Sequence, residues 1–271
     1  MTVLRNPKQE GTNFWDCVPQ RGPCPMGCNQ CYYNRVSECV YCHGAGVFGS
    51  AEALSKCQHC NGTGRITAYY IGWEPVVPSP EEVGEGIVRV NCGHDSNLQR
   101  DLVLKTAQQY KHVFFNTSIL RFDFPGPVVY TANPVEEEPA MSPFKLANMD
   151  LKRLMFVRLR VSASNLDFIE QAIEEWTGGG VRVSVVLTFM AYYDGAVPQC
   201  PNGDRPYIWK TRHINSYWCA TPKFMRKVLQ QMKRINERLV TMCGTPESNY
   251  CRDCRNCESY YWQTIKRLKG C

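Results

Sequence analysis

From residue 86 onward, short apolar runs alternate with longer stretches whose apolar positions recur at helical spacing. The run 86–90, Gly-Ile-Val-Arg-Val, predicts a strand ending at Asn91. Leu98, Leu102 and Leu104 predict a helix over 97–110, and 112–115, His-Val-Phe-Phe, a second strand. A third strand covers 127–131 and stops at Asn133-Pro134; the acidic, proline-broken 135–150 reads as loop with a short helix. A strand at 155–161, a helix at 166–176 and a strand at 181–190 follow. A helix over 223–242 carries the stripe Phe224, Val228, Met232, Ile235 and Leu239, with lysines and arginines opposite. Strand–helix units with apolar strands predict an α/β fold with a parallel sheet.

The strand at 155–164 alternates most sharply. Met155, Val157, Leu159 and Val161 fall on one face; Arg158, Arg160, Ser162 and Ser164 fall on the other. Turned inward, that polar face needs a ligand to satisfy it; on an exposed edge, water would serve. The strand at 181–190 repeats the pattern, with Ser184, Thr188, Met190 and Tyr192 opposite Val183, Val185, Leu187 and Phe189.

Residues 1–23 are polar and broken by proline and glycine, which predicts a loop-rich lead-in. The 271 residues include 16 cysteines, most of them in tight groups. Cys24, Cys28 and Cys31 stand in a C-x3-C-x2-C run. Three thiolates can hold three irons of a 4Fe–4S cube and leave the fourth open. A zinc site that borrows a further cysteine, such as Cys17, is the other reading. Tyr32 stands next in the chain, where it could shield a metal centre. The segment Cys39-Val-Tyr-Cys42-His-Gly-Ala-Gly46 is repeated as Cys57-Gln-His-Cys60-Asn-Gly-Thr-Gly64. These four thiolates suit a closed, structural zinc site, and the glycines let backbone amides face the sulfurs. Cys243 with Cys251, Cys254 and Cys257 suits a second 4Fe–4S cluster or zinc.

Length allows one large α/β domain with an insertion, and the 44% hydrophobic content excludes global disorder. The N-terminus lacks a signal-peptide core and no apolar run nears the roughly 18 residues of a membrane span. The cysteines therefore read as metal ligands in a reducing cytoplasm, with no membrane partner. A net charge of +6 permits an anionic partner.

The loop 24–32 resembles the cluster loop of the radical S-adenosylmethionine (radical SAM) superfamily, where an aromatic residue commonly follows the third cysteine. Gln30 departs mildly, since that position is often aromatic or apolar there. The resemblance covers about residues 15–195; the elements around Trp15, Gly27-Cys28 and Cys31-Tyr32 also resemble small bacteriophage members. The paired knuckles resemble the zinc modules of DnaJ-type chaperones over 36–68 alone, with one pair instead of several. The resemblance implies a partial (β/α) barrel with SAM across the strand C-termini. Residues 1–35 would be its cluster-loop lead-in, 36–68 a zinc-knuckle insertion and 69–195 the rest of the barrel. Residues 196–271 would form a C-terminal lid, helix and cysteine cluster.

The implied enzyme reductively cleaves SAM at the cluster for hydrogen abstraction, with flavodoxin or ferredoxin as electron donor. Arg160 and Ser162, with Arg158 and Ser164 beside them, would hold the SAM carboxylate and ribose. Asn91-Cys92-Gly93-His94-Asp95 lies where the family carries a glycine-rich turn for the methionine amino group, and Gly93 and Asp95 echo it. Cys92, His94 and Tyr192 are candidates for proton or hydrogen-atom transfer, though Cys92 reads equally as a small buried hydrophobe. In 196–221, Tyr207, Trp209, Tyr217 and Trp218 interleave with Lys210, Arg212 and His213. That composition suits base stacking and phosphate contact, or an ordinary lid. A nucleic-acid base or nucleotide is the expected substrate and a peptide the next; the rival is a non-enzymatic multi-zinc nucleic-acid-binding protein.

Overall fold

The computed structural model describes residues 6–22, 24–26, 28, 36–38, 42, 45–48, 54–58, 60, 62, 64–67, 74–132, 146, 148–192, 197–198, 205–211 and 216–270. Its centre is a seven-stranded sheet built from β1 (Phe14–Cys17), β2 (Ile87–Val90), β3 (His112–Thr117), β4 (Val128–Ala132), β5 (Leu154–Val161), β6 (Val185–Phe189) and β7 (Val240–Met242). The strands lie side by side in chain order and every pairing is parallel. Parallel neighbours need long crossovers, and here helices supply several. Helices α1 (Arg100–Ala107), α2 (Leu166–Thr177) and α3 (Pro222–Lys233) bury Val103, Ile169, Ile173, Trp176, Val228 and Met232 against one sheet face. That face presents Val88, Val90, Phe115, Tyr130, Val157, Leu159, Val185 and Leu187.

The opposite, inner face is covered by α4 (Asn256–Leu268), whose buried Tyr261 packs among Phe14, Ile87, Phe114, Val129, Phe156 and Val186. Burial on both faces explains the near-continuous apolar runs of these strands.

The structure differs from the sequence expectations in four places. Phe14–Cys17 is an edge strand and not part of a loop, because its alternation places Phe14 on the inner face and Cys17 on the helix face. The helix predicted over 223–242 ends at Lys233. Asn236 Oδ1 accepts from the Leu239 N–H, a turn that competes with the helix, and Val240–Met242 then joins β6. Met155 does not share a face with Val157: a register shift between Val128 and Val129 inserts it, so Met155 and Phe156 both face inward. Helix α4 has no counterpart among the expected elements. The acidic segment 135–150 lies largely outside the described residues.

The sheet takes strands from 1–35, 69–195 and 196–271, so the C-terminal segment contributes to the main body. Between β1 and β2, two separate antiparallel ribbons pair Val36–Glu38 with Arg65–Thr67 and Val47–Phe48 with Ser55–Lys56. Another pairs Tyr207–Lys210 with Tyr217–Ala220. Among the described residues no helix is long and apolar enough to cross a membrane.

Candidate functional site

One step along each strand from the inner apolar row, the residues turn polar. The period-two alternation that puts Phe14, Ile87, Phe114, Val129, Phe156 and Val186 inside puts Asp16, Arg89, Asn116, Thr131, Arg158 and Thr188 on the same face, two residues nearer the strand C-termini. Asp16 and Arg89 are neighbours in register, and Arg89 donates two hydrogen bonds to the carboxylate, Nε to Oδ1 at 2.8 Å and Nη2 to Oδ2 at 3.1 Å. Gln9 Nε2 donates to the same carboxylate at 2.8 Å. Burial works against both charges and their mutual attraction overrules it, holding Asp16 below the ordinary carboxylate range and Arg89 well above its own.

Several polar atoms at this edge are buried without a hydrogen-bond partner among the described residues: Asn116 Oδ1, Thr188 Oγ1, Asn91 Oδ1 and Gln20 Oε1. Asn116 uses its amide nitrogen on the Val90 carbonyl at 3.1 Å. Thr188 pairs in register with Arg160. Such atoms are costly when unmet, so an edge that gathers them is suited to a ligand.

The expected residues divide. Arg158 and Arg160 lie on the inner face, Arg158 with Nη1 at 3.4 Å from Thr131 Oγ1. Ser162, Ser164 and Tyr192 form a different group. The Tyr192 hydroxyl donates to Ser162 Oγ at 2.6 Å, Ser162 and Ser164 lie 2.9 Å apart, and the Tyr207 hydroxyl accepts from the Ala163 N–H. Both tyrosine rings belong to the helix-side core, because β5 ends at Val161 and the chain turns toward α2. Asp95 is internal: its carboxylate accepts from Thr117 Oγ1 and the amides of Asn97 and Ser118. His94 Nδ1 accepts from the Asp95 amide at 3.0 Å, and burial keeps the ring below its usual pKa. Gly93, just before them, is half-buried. Cys92, at the end of β2, has Asp16 and Arg89 within electrostatic reach, and burial pushes its thiol up.

The cysteines also divide. Cys24 is buried and Cys28 half-buried in the loop beyond the C-terminal end of β1; Cys31 and Tyr32 lie outside the described residues. Cys42, Cys57 and Cys60 bring their sulfurs within 4.8 Å of one another and could hold a metal ion; Cys39 lies outside the described residues. The Gly46 amide donates to Cys42 Sγ at 3.2 Å and the Gly64 amide to Cys60 Sγ at 3.3 Å. Gly46 and Gly64 hold φ of 76° and 71°, and a side chain on Gly46 would strike the Gly62 carbonyl.

Scans of family models, curated proteins and solved structures find no match for this chain.

Cys243, Cys251, Cys254 and Cys257 gather around the polar edge. The Cys243 amide donates to the Leu187 carbonyl, and Asn256 Nδ2 ties the start of α4 to the Met242 carbonyl at 2.7 Å. Burial pushes the Cys257 thiol up to about 12, with Arg158 pulling the other way and Cys243, Arg89 and Cys251 also in reach. Among the described residues, however, only the knuckle cysteines bring three ligand atoms within 4.8 Å. Sequence reasoning missed Asp16, Arg89, Asn116, Asn91 and Gln20. An arginine in the apolar run 86–90 was the one available signal. A cleft of about 250 Å³ between Leu154, Met155, Ser184 and Arg267 lies at the opposite, N-terminal edge of β5 and β6. Sheets of this kind bind ligands at the other edge.

Proposed function

We propose that the chain is a radical SAM enzyme with a zinc-knuckle insertion. The observation that carries this reading is positional. The three-cysteine loop follows the C-terminal end of the first strand of a sequentially ordered parallel sheet, and the inner face turns polar at that same edge. Ligands of parallel α/β sheets and barrels bind at that edge.

The residues present suit the implied groups. Cys24, Cys28 and Cys31 supply three thiolates. SAM carries a carboxylate, an amino group and ribose hydroxyls; Arg158 and Arg160 offer guanidinium donors, and the unmet Asn116 Oδ1 and Thr188 Oγ1 offer acceptors. The chemistry such a cluster supplies is one-electron cleavage of SAM to methionine and a 5′-deoxyadenosyl radical. Around it, Arg158 and Arg160 would orient the carboxylate through charge-assisted bonds. The apolar row under Tyr261 excludes water from below. Burial keeps Cys92 a neutral thiol, whose S–H holds a transferable hydrogen. The Cys42–Cys60 sulfur separation of 3.7 Å is close to the edge of about 3.8 Å that tetrahedral Zn–S bonds impose, which supports zinc in the knuckle.

Anaerobic reconstitution with iron and sulfide, followed by dithionite and SAM, should yield 5′-deoxyadenosine by liquid chromatography. The triple variant Cys24→Ala, Cys28→Ala, Cys31→Ala should lose both the cluster absorbance and the product. Cleavage by the triple variant refutes the reading. Wild-type protein that takes up zinc but neither iron nor sulfide supports the non-enzymatic zinc-protein alternative.

A further inference from the structure

The positive charge of the chain is concentrated in one stretch. Residues 205–238 hold nine Lys and Arg against the single acid Glu237, a net of +8 in a chain of net +6, so the remainder is net −2. This stretch forms the hairpin Tyr207–Lys210/Tyr217–Ala220 and α3, which are joined directly: the Thr221 amide donates to the Pro206 carbonyl at 2.8 Å and the Thr221 side chain caps the helix. Two bonds between the Tyr192 and Trp218 backbones, 2.7 and 3.0 Å, tie the hairpin to the chain leaving β6, beside the polar edge.

From these observations we infer that the hairpin and α3 form a docking surface for single-stranded nucleic acid. Trp209 is 43% exposed and rests against Trp218 with ring centroids 5.5 Å apart. An exposed indole held by a tilted neighbouring ring can take a base by stacking, and bases stack on such rings regardless of sequence. Lys223 and Lys227 are exposed on one side of α3 and Arg234 at its C-terminal cap, while Lys210 is exposed on the ribbon face opposite Trp209. They supply the positive charge that backbone phosphates require. A membrane is the less suited anionic partner, because the apolar stripe of α3, Phe224, Val228 and Met232, is already buried in the core, so the basic helix itself has no apolar face to insert. That a bound strand presents a base to the polar edge rests on the radical SAM reading; the binding surface itself does not.

The test uses the full chain as purified, without SAM or reductant. Anisotropy of a fluorescein-labelled single-stranded oligonucleotide, DNA or RNA, is followed over a salt series. Binding should weaken linearly in log–log form as salt rises. The double variant Lys223→Gln, Lys227→Gln should flatten that slope by about 1.4, or about 0.7 for each phosphate that a lysine no longer neutralises. Trp209→Ala should weaken binding about tenfold at fixed salt with the slope unchanged, and Trp209→Tyr should restore it. Absence of binding, or binding indifferent to these variants, overturns the inference. So does a preference for phosphatidylserine vesicles over the oligonucleotide. None of these results bears on SAM cleavage, which the 5′-deoxyadenosine assay reads separately.

Discussion

Among the described residues, Asp16 and Arg89 are the ion pair most deeply committed to the interior, with side chains 15% and 17% exposed. The two side chains come from strands 73 residues apart in sequence, so their bond exists only in the folded sheet. Removing one member leaves the other charged and unmatched, which costs more than the pair contributes on balance. Asp16→Asn should therefore destabilise the protein by about 3–5 kcal/mol, read from the urea midpoint. Asp16→Asn combined with Arg89→Met should recover most of the loss. The sign with pH follows from the lowered Asp16 value. Its contribution is complete above the ordinary carboxylate pKa of about 3.9 and fades as pH falls through the depressed folded value. Acid unfolding that is the same in wild type and Asp16→Asn would contradict this. The charge on Asp16 was plain in the sequence; its partner was not.

At the scale of elements, α4 closes the inner face. Tyr261 is 1% exposed, its ring lies 6.3 Å from Phe114, and its hydroxyl is 3.3 Å from His112 Nδ1. Tyr261→Ala should cost about 3–5 kcal/mol by opening a cavity under the apolar row. Tyr261→Phe should cost about 1 kcal/mol, the contribution of one hydrogen bond. Thermal unfolding of the two variants measures the difference, and an Ala variant no worse than the Phe variant would show that α4 is not the cover. The strands β2 to β6 were legible as apolar runs and α2 by its helical spacing, whereas α1 buries Val103 and Ala107 and leaves Leu102 of the expected stripe exposed. β1 was hidden by the polar sequence around it. β7 was hidden because Ile235 and Leu239 continue the stripe of α3 at helical spacing, while the turn at Asn236 depends on a side-chain bond.

For the whole molecule, the knuckle cysteines, which could hold a metal ion, and the loop carrying Cys24 and Cys28 lie on separate segments between the first two strands of one sheet. Cys57→Ser should remove the knuckle metal, measured by elemental analysis, while iron uptake at Cys24, Cys28 and Cys31 persists in the folded fraction. Loss of both together would show that the two sites are coupled. The Cys60 thiol adds a pH dependence. Burial acts to raise it, but the Gly64 amide, the Cys57 and Cys42 thiols and the Gly62 amide together bring it down from 9.0 to about 6. The metal-free thiol is thus a ready thiolate at neutral pH, and a bound metal, competing with the proton for the same sulfur, should leave only below that value as acid protonates the ligands. A chromogenic chelator titrated against pH reads the release. The grouping of Cys42, Cys57 and Cys60 was legible because the repeated C-x2-C-x-G-x-G spacing sets two cysteine pairs within one short segment. Alternation also told which residues share a face within the regular parts of the strands, from Phe156 to Val161 and Val185 to Phe189, but not at the bulge or beyond the strand ends. Which face turns inward was decided only in the tertiary structure. The burial of Tyr261 against one side of the sheet, the bulge at Met155 and the register of neighbouring strands set it. Parallel pairing joins residues through long crossovers, and no local pattern carries the register of strands so far apart.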